Sequence, residues 1–194
     1  MQTTIEVNSK AALEQLARLV SQVDGPARAG LMQVLGRGLG NDLKSHFIRR
    51  NQRPNARNWK KSDFWREVAQ STNLQSATQD NATVAISDPR IGPHLYGATI
   101  RPRNAKLLAI PASEKAKGNE PRGGAIPGLF FVRNKKGTRF LARKGAGKQL
   151  EVHYWLKPSV RIRKDPDTLP SQAELDRKTV DRANRWIERA LRES

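Results

Sequence analysis

Apolar positions recur along this chain in two different periods. Leu13, Leu16, Ala17, Val20 and Val23 follow the i, i+3, i+4, i+7 spacing of a helix face, with Asn8 or Ser9 as a cap and Asp24-Gly25-Pro26 as a stop. Leu31, Leu35, Leu39, Leu43 and Phe47 then repeat every fourth residue, with Val34 widening the stripe, and predict a second helix from about Ala27 to Arg50. The two should pack as a hairpin. Gly36, Gly38 and Gly40 fall inside this second pattern. Each costs roughly 0.5–1 kcal/mol against alanine within a helix, so they point to a kink or a close helix contact. Beyond the polar, basic loop Asn51 to Lys61, Ser62 is placed to cap a short helix carrying Phe64, Trp65, Val68 and Ala69.

The period then shortens to two. Thr83 to Ser87 (TVAIS) predicts a strand, expected to pair near Lys106 to Ile110 (KLLAI), which Pro111 closes. The run His94 to Pro111, HLYGATIRPRNAKLLAIP, reads as a hairpin or paired-strand unit with turns at Gly97 and Pro102. A loop of about sixteen residues, Ala112 to Pro127, follows; at that length it is either mobile or ordered by a neighbour. Leu129 to Val132 and Thr138 to Ala142 flank Asn134-Lys135-Lys136-Gly137, a hairpin signal with a basic tip. In Gln149 to Leu156, Leu150, Val152, Tyr154 and Leu156 alternate with Glu151, His153 and Trp155, and Val160 and Ile162 continue the alternation. A last helix carries Val180, Ala183, Trp186, Ile187, Ala190 and Leu191 on one face, with Ser171 and Glu174 as an S-x-x-E capping box. The fold class is α+β: a small, mostly antiparallel sheet packed by an N-terminal helix pair and a C-terminal helix. Residues 1–194 are expected to form a single domain, with 112–148 a projecting basic loop and hairpin arm.

Charge sharpens this picture. The 194 residues carry a formal +18, and residues 100–164 alone hold 17 lysines and arginines against 3 acids. Such a concentration predicts a polyanionic neighbour, either nucleic acid or an acidic protein face, with a merely solvated basic surface as the plain alternative. Arg133, Lys135, Lys136, Arg139, Arg143, Lys144 and Lys148 are the candidate polyanion contacts. Ile100, Leu107, Leu108 and Ile110 should set the sheet, and Ile100, Arg101, Arg103, Lys106 and Trp155 are candidate subunit or partner contacts. Cysteine is absent, which excludes disulfides and thiolate metal sites. Neither a secretory signal nor a membrane-spanning run is read from the pattern.

No catalytic constellation is complete. His46, His94 and His153 lie far apart and outside any H-E-x-x-H spacing. Gly145 to Gln149 (GAGKQ) is similar to the end of a phosphate-binding loop, but Ala142 stands where the earlier glycine belongs and Gln149 where Ser or Thr would hold magnesium. Only Glu114, Glu120 and Glu151 supply carboxylates in the basic region, too few and too scattered for a two-metal nuclease. A non-enzyme without cofactor or metal is expected.

Three stretches resemble one family. TIRPRNAK followed by LLAIP, then NARNWKKSDFWREVAQSTN, then VHYWLKPSVRIRKDPDTLPSQAEL, are similar to segments of the tailed-bacteriophage virion morphogenesis proteins, the Mu-like tail completion and head-to-tail joining group. The likeness spans roughly Asn55 to Leu175. It implies a structural protein of the virion neck or tail, assembled in the host cytoplasm as a homo-oligomeric ring, hexameric by analogy. Its neighbours would be the head connector and tail tube proteins, with non-specific contact to packaged DNA and no membrane. The alternative of a different class is a non-catalytic nucleic-acid-binding protein outside the virion.

Overall fold

The computed structural model describes residues 24–54, 59–60, 62–147 and 149–192. The helix expected before Asp24 lies outside them, as does Lys148. Within the described part the fold is α+β, with helices, antiparallel strand pairs and no closed barrel. The chain divides into two compact units. One comprises residues 24–53, 62–89 and 167–192, and the other residues 54, 59–60 and 90–166.

In the first unit, helix α1 spans Gly25–Gln52. The Asp24 carboxylate accepts the Gly25 amide hydrogen at 2.9 Å, Pro26 occupies the first turn, and Arg49 and Arg50 sit at the C-terminal end, where cations suit the helix dipole. Leu31, Leu43 and Phe47 are buried, and so are all three glycines of the interrupted stripe. The reason is contact. A Cβ on Gly36 would lie 2.6 Å from Leu74 Cδ1 and 2.8 Å from Ala82 Cβ, while one on Gly38 would enter the Arg182 side chain. The close approach expected at the glycines is therefore present, and at Gly36 its partner is a β-hairpin rather than a helix.

That hairpin pairs β1, Thr72–Ala77, with β2, Ala82–Ile86. The strand expected at Thr83 to Ser87 thus joins β1, and not the strand at KLLAI. The polar β1 sequence TNLQSA carries little strand signal. A four-residue turn, in which Thr78 Oγ1 accepts the amides of Asp80 and Asn81 at 3.2 Å, nevertheless closes the local pair at small entropic cost. Helix α2, Phe64–Gln70, stacks Trp65 on Phe47 with centroids 5.9 Å apart, and the Arg50 guanidinium lies 4.2 Å from the Trp65 ring centroid. Asp63, rather than Ser62, occupies its N-cap position, and makes no side-chain cap bond because its carboxylate takes Arg66 at 2.7 Å.

The first unit contains one further long helix. Labelled α4, it spans Gln172–Arg192, with α3 (Gly92–Tyr96) belonging to the second unit. Ser171 Oγ accepts the Glu174 amide at 3.2 Å, half of the expected capping box. The other half is lost to Lys178, whose ammonium takes the Glu174 carboxylate at 2.8 Å. Asp42 of α1 receives Arg182 at 3.0 Å and Lys178 at 3.7 Å, locking α4 to α1 beside Gly38.

The second unit contains a four-stranded antiparallel sheet in the order β4-β7-β6-β5 and a separate ribbon β3-β8. The strands are β3 Ala98–Ile100, β4 Leu108–Pro111, β5 Phe130–Arg133, β6 Arg139–Lys144, β7 Leu150–Lys157 and β8 Val160–Ile162. The His94 to Pro111 run is not paired with itself, contrary to expectation: β3 pairs with β8 and β4 with β7. Pro102 removes a ladder donor between the two short strands, and each finds a partner elsewhere. The long loop is ordered by the sheet beneath it, with Ala116 and Ile126 burying Tyr154 and the Tyr154 hydroxyl donating to Asn119 O at 3.0 Å.

The alternation expected in β7 fails at its centre. Leu141 faces Tyr154 while Ala142 faces Val152, so His153 is the extra residue of a β-bulge. His153 and Tyr154 are consequently both buried, whereas Leu150 is exposed.

Candidate polyanion-binding site

The β5–β6 hairpin is shaped by its turn. Asn134 N–H donates to Thr138 O at 3.0 Å, Thr138 N–H donates to Asn134 Oδ1 at 2.8 Å, and Gly137 adopts φ +78°, a conformation that glycine tolerates at no steric cost. Lys135 and Lys136 are thereby held exposed at the tip. At its base, Arg133 lies directly opposite Arg139 in the ladder. Cross-strand partners share a face, and like charges placed directly opposite destabilise a sheet.

No acid relieves them. Arg133, Lys135, Lys136, Arg139 and Lys144 make no ion pair or side-chain hydrogen bond among the described residues, and all are exposed. Arg143 differs: Glu151, opposite it in β7, accepts from its guanidinium at 2.7 Å. That hydrogen bond, and then the Arg143 charge, hold the Glu151 carboxyl below the usual carboxylate range. Arg143 is thus half-neutralised before any ligand arrives. Lys136 and Arg139 instead line an open cavity of about 340 Å³ together with Leu156 and Lys157. Lys157 was not singled out by the sequence, since it ends an alternating run; its position next to the turn is visible only once β7 is registered against β6.

The candidate partner contacts divide. Arg101, Arg103 and Lys106 are exposed, and Ile100 is 41 % exposed. Trp155 is half-buried with its ring edge-on to Phe140 at 5.6 Å, which makes it part of the sheet's packing. Beyond these, edge strand β5 exposes Phe130 and Phe131, which the apolar character of Leu129 to Val132 alone does not mark as surface.

One cluster has the composition of a hydrolytic triad. Ser113 Oγ lies 2.7 Å from His153 Nδ1, and His153 Nε2 lies 3.6 Å from Glu151 Oε2. Its imidazole is only 4 % exposed, and Glu151 is already engaged by Arg143. A sealed base of this kind anchors the start of the 112–127 loop to β7, where Ala112 N–H also donates to His153 O at 2.8 Å. In the other unit His46 is half-buried, its Nε2 3.0 Å from Asp167 O. Among the described residues no group of three or more His, Cys, Asp or Glu is placed to hold a metal, and no helix is long and apolar enough to cross a membrane.

Compared with protein-family models, with curated proteins and with solved structures, the chain matches none.

Proposed function

We propose that this chain is a non-catalytic structural protein of a tailed-phage particle, a tail completion or head-to-tail joining ring component whose basic hairpin contacts a polyanion. The observation that carries the polyanion contact is Arg133 set directly opposite Arg139 with no acid between them. A fold tolerates such a pair at a cost, and an anionic partner that bridges both guanidinium groups turns the cost into affinity. The particle assignment rests on the three resembling stretches, and the exposed Phe130 and Phe131 on an edge strand suit a surface that is covered on assembly.

In this reading the tip of the β5–β6 hairpin reaches the partner, and the sheet to which both strands belong supports it. Packaged DNA, or an acidic face of a neighbouring ring, is the polyanion. Charge reversal at the tip, Lys135→Glu with Lys136→Glu, tests the contact: duplex DNA binding followed against salt should lose both affinity and slope. Unchanged binding by that variant contradicts the assignment of the hairpin.

A further inference from the structure

A second basic surface lies away from the hairpin in sequence, on the β3–β8 ribbon. Tyr96 ends α3 and is 82 % exposed, the most open of the large apolar and aromatic side chains described. The turn that presents it is specific. Gly97 follows at φ +75°, and a Cβ there would lie 3.2 Å from both Ile162 O and Lys164 N, so only glycine lets the two segments close. Asp165 N–H donates to His94 O at 2.9 Å and fastens the same crossing.

This crossing gathers charge around the ring. Tyr96, Arg161, Arg163 and Lys164 line one shallow cavity of about 370 Å³ whose lining is mostly polar. Arg161 stands opposite Thr99 in the ladder, and Arg163 follows just past the end of β8, where both line that cavity. Neither arginine, nor Lys164, nor the Tyr96 hydroxyl has a hydrogen-bond or ion-pair partner among the described residues.

We infer that this ribbon is a binding site for single-stranded nucleic acid, in which Tyr96 stacks on a base while Arg161, Arg163 and Lys164 neutralise consecutive phosphates. An acidic protein surface would use the cations and leave the open aromatic ring without a role. A duplex keeps its bases stacked on each other and offers that ring no face, whereas an unpaired base offers one at every step. The site is independent of the hairpin and holds whether or not the chain forms a ring.

The test is fluorescence anisotropy of a labelled oligothymidine of about fifteen nucleotides, titrated at several salt concentrations, with a duplex and polyglutamate as competitors. Four versions of the 194-residue chain are compared: the unsubstituted chain, Tyr96→Ala, Arg161→Gln with Arg163→Gln, and Lys135→Glu with Lys136→Glu. Because the substituted side chains are exposed, circular dichroism should be unchanged in each. Tyr96→Ala should weaken single-strand binding about tenfold and leave duplex binding nearly unaltered. The double arginine variant should lower the log–log salt slope by roughly 1.4, about 0.7 per phosphate contact on a single strand. The lysine variant should retain the Tyr96-dependent part of the affinity. Single-strand binding that is indifferent to both Tyr96 and the arginines overturns the inference, as does displacement by polyglutamate as readily as by the oligonucleotide.

Discussion

His46 shows how a single side chain ties stability to pH in this protein. Burial holds its pKa below the ordinary imidazole value of 6.5, outweighing the hydrogen bond to the Asp167 carbonyl, which acts the other way; Arg50 and Arg49 add to the lowering. The folded state thus binds fewer protons at this site than the unfolded chain. Its stabilising contribution is complete above pH 6.5 and is lost as pH falls through the depressed folded value. Denaturant midpoints should therefore decline on acidification below 6.5, and His46→Gln should flatten that part of the profile. Glu151 works in the same direction lower down: its contribution is complete above the usual carboxylate value of 4.5 and is lost as pH falls through its depressed folded value, where protonation releases Arg143. At the same scale, Arg139→Thr removes a like-charge pair and should raise stability at low salt by about 0.2–1 kcal/mol, an effect that added salt erases. Thermal unfolding at two ionic strengths measures it.

Among the elements, α1 makes the sharpest prediction, because its glycines are spaces filled by other parts of the first unit. Gly36→Ala gains roughly 1 kcal/mol of helix propensity yet drives a methyl group into Ala82 Cβ, a neighbour fixed to a strand backbone. Overpacking of this kind costs about 1–3 kcal/mol, so urea unfolding should show a net loss. Gly38→Ala meets the Arg182 side chain, which can swing away and surrender only its pairing with Asp42, and its loss should be smaller. Helix α1 was legible from the sequence because a four-residue stripe such as Leu31 to Phe47 survives any tertiary partner, and the hairpin around Asn134 was legible because its turn chemistry is local; the short helix α3 was not, since Gly92–Tyr96 is too brief to show a period. The strand pairings were not. TNLQSA has no alternation to announce β1, and β3 and β4 are too short to fix their partners without β8 and β7. The bulge that buries His153 depends on register between β6 and β7, which no single strand encodes.

For the whole molecule the governing quantity is unpaired positive charge. The chain holds 36 lysines and arginines against 18 acids, and the structure spends its few central acids locally, Glu151 on Arg143 and Glu114 on the Lys60 amide. What remains around the β5–β6 tip and the β3–β8 ribbon is left for a partner or for counterions. The candidate polyanion site rests on the clustering of basic residues between 100 and 164, but which of them are already paired is not legible in the sequence, since the Arg143–Glu151 contact requires knowing that β6 and β7 are neighbours. Copies of such a chain repel one another, so assembly should strengthen as salt screens that repulsion or as an anionic partner offsets it. Mass photometry of the purified chain across a salt series, with and without a short DNA duplex, tests the ring assignment most directly. A discrete ring-sized species, present without DNA and favoured by moderate salt, is the predicted result; a chain that stays monomeric at every salt concentration, and binds DNA tightly only at low salt, contradicts it.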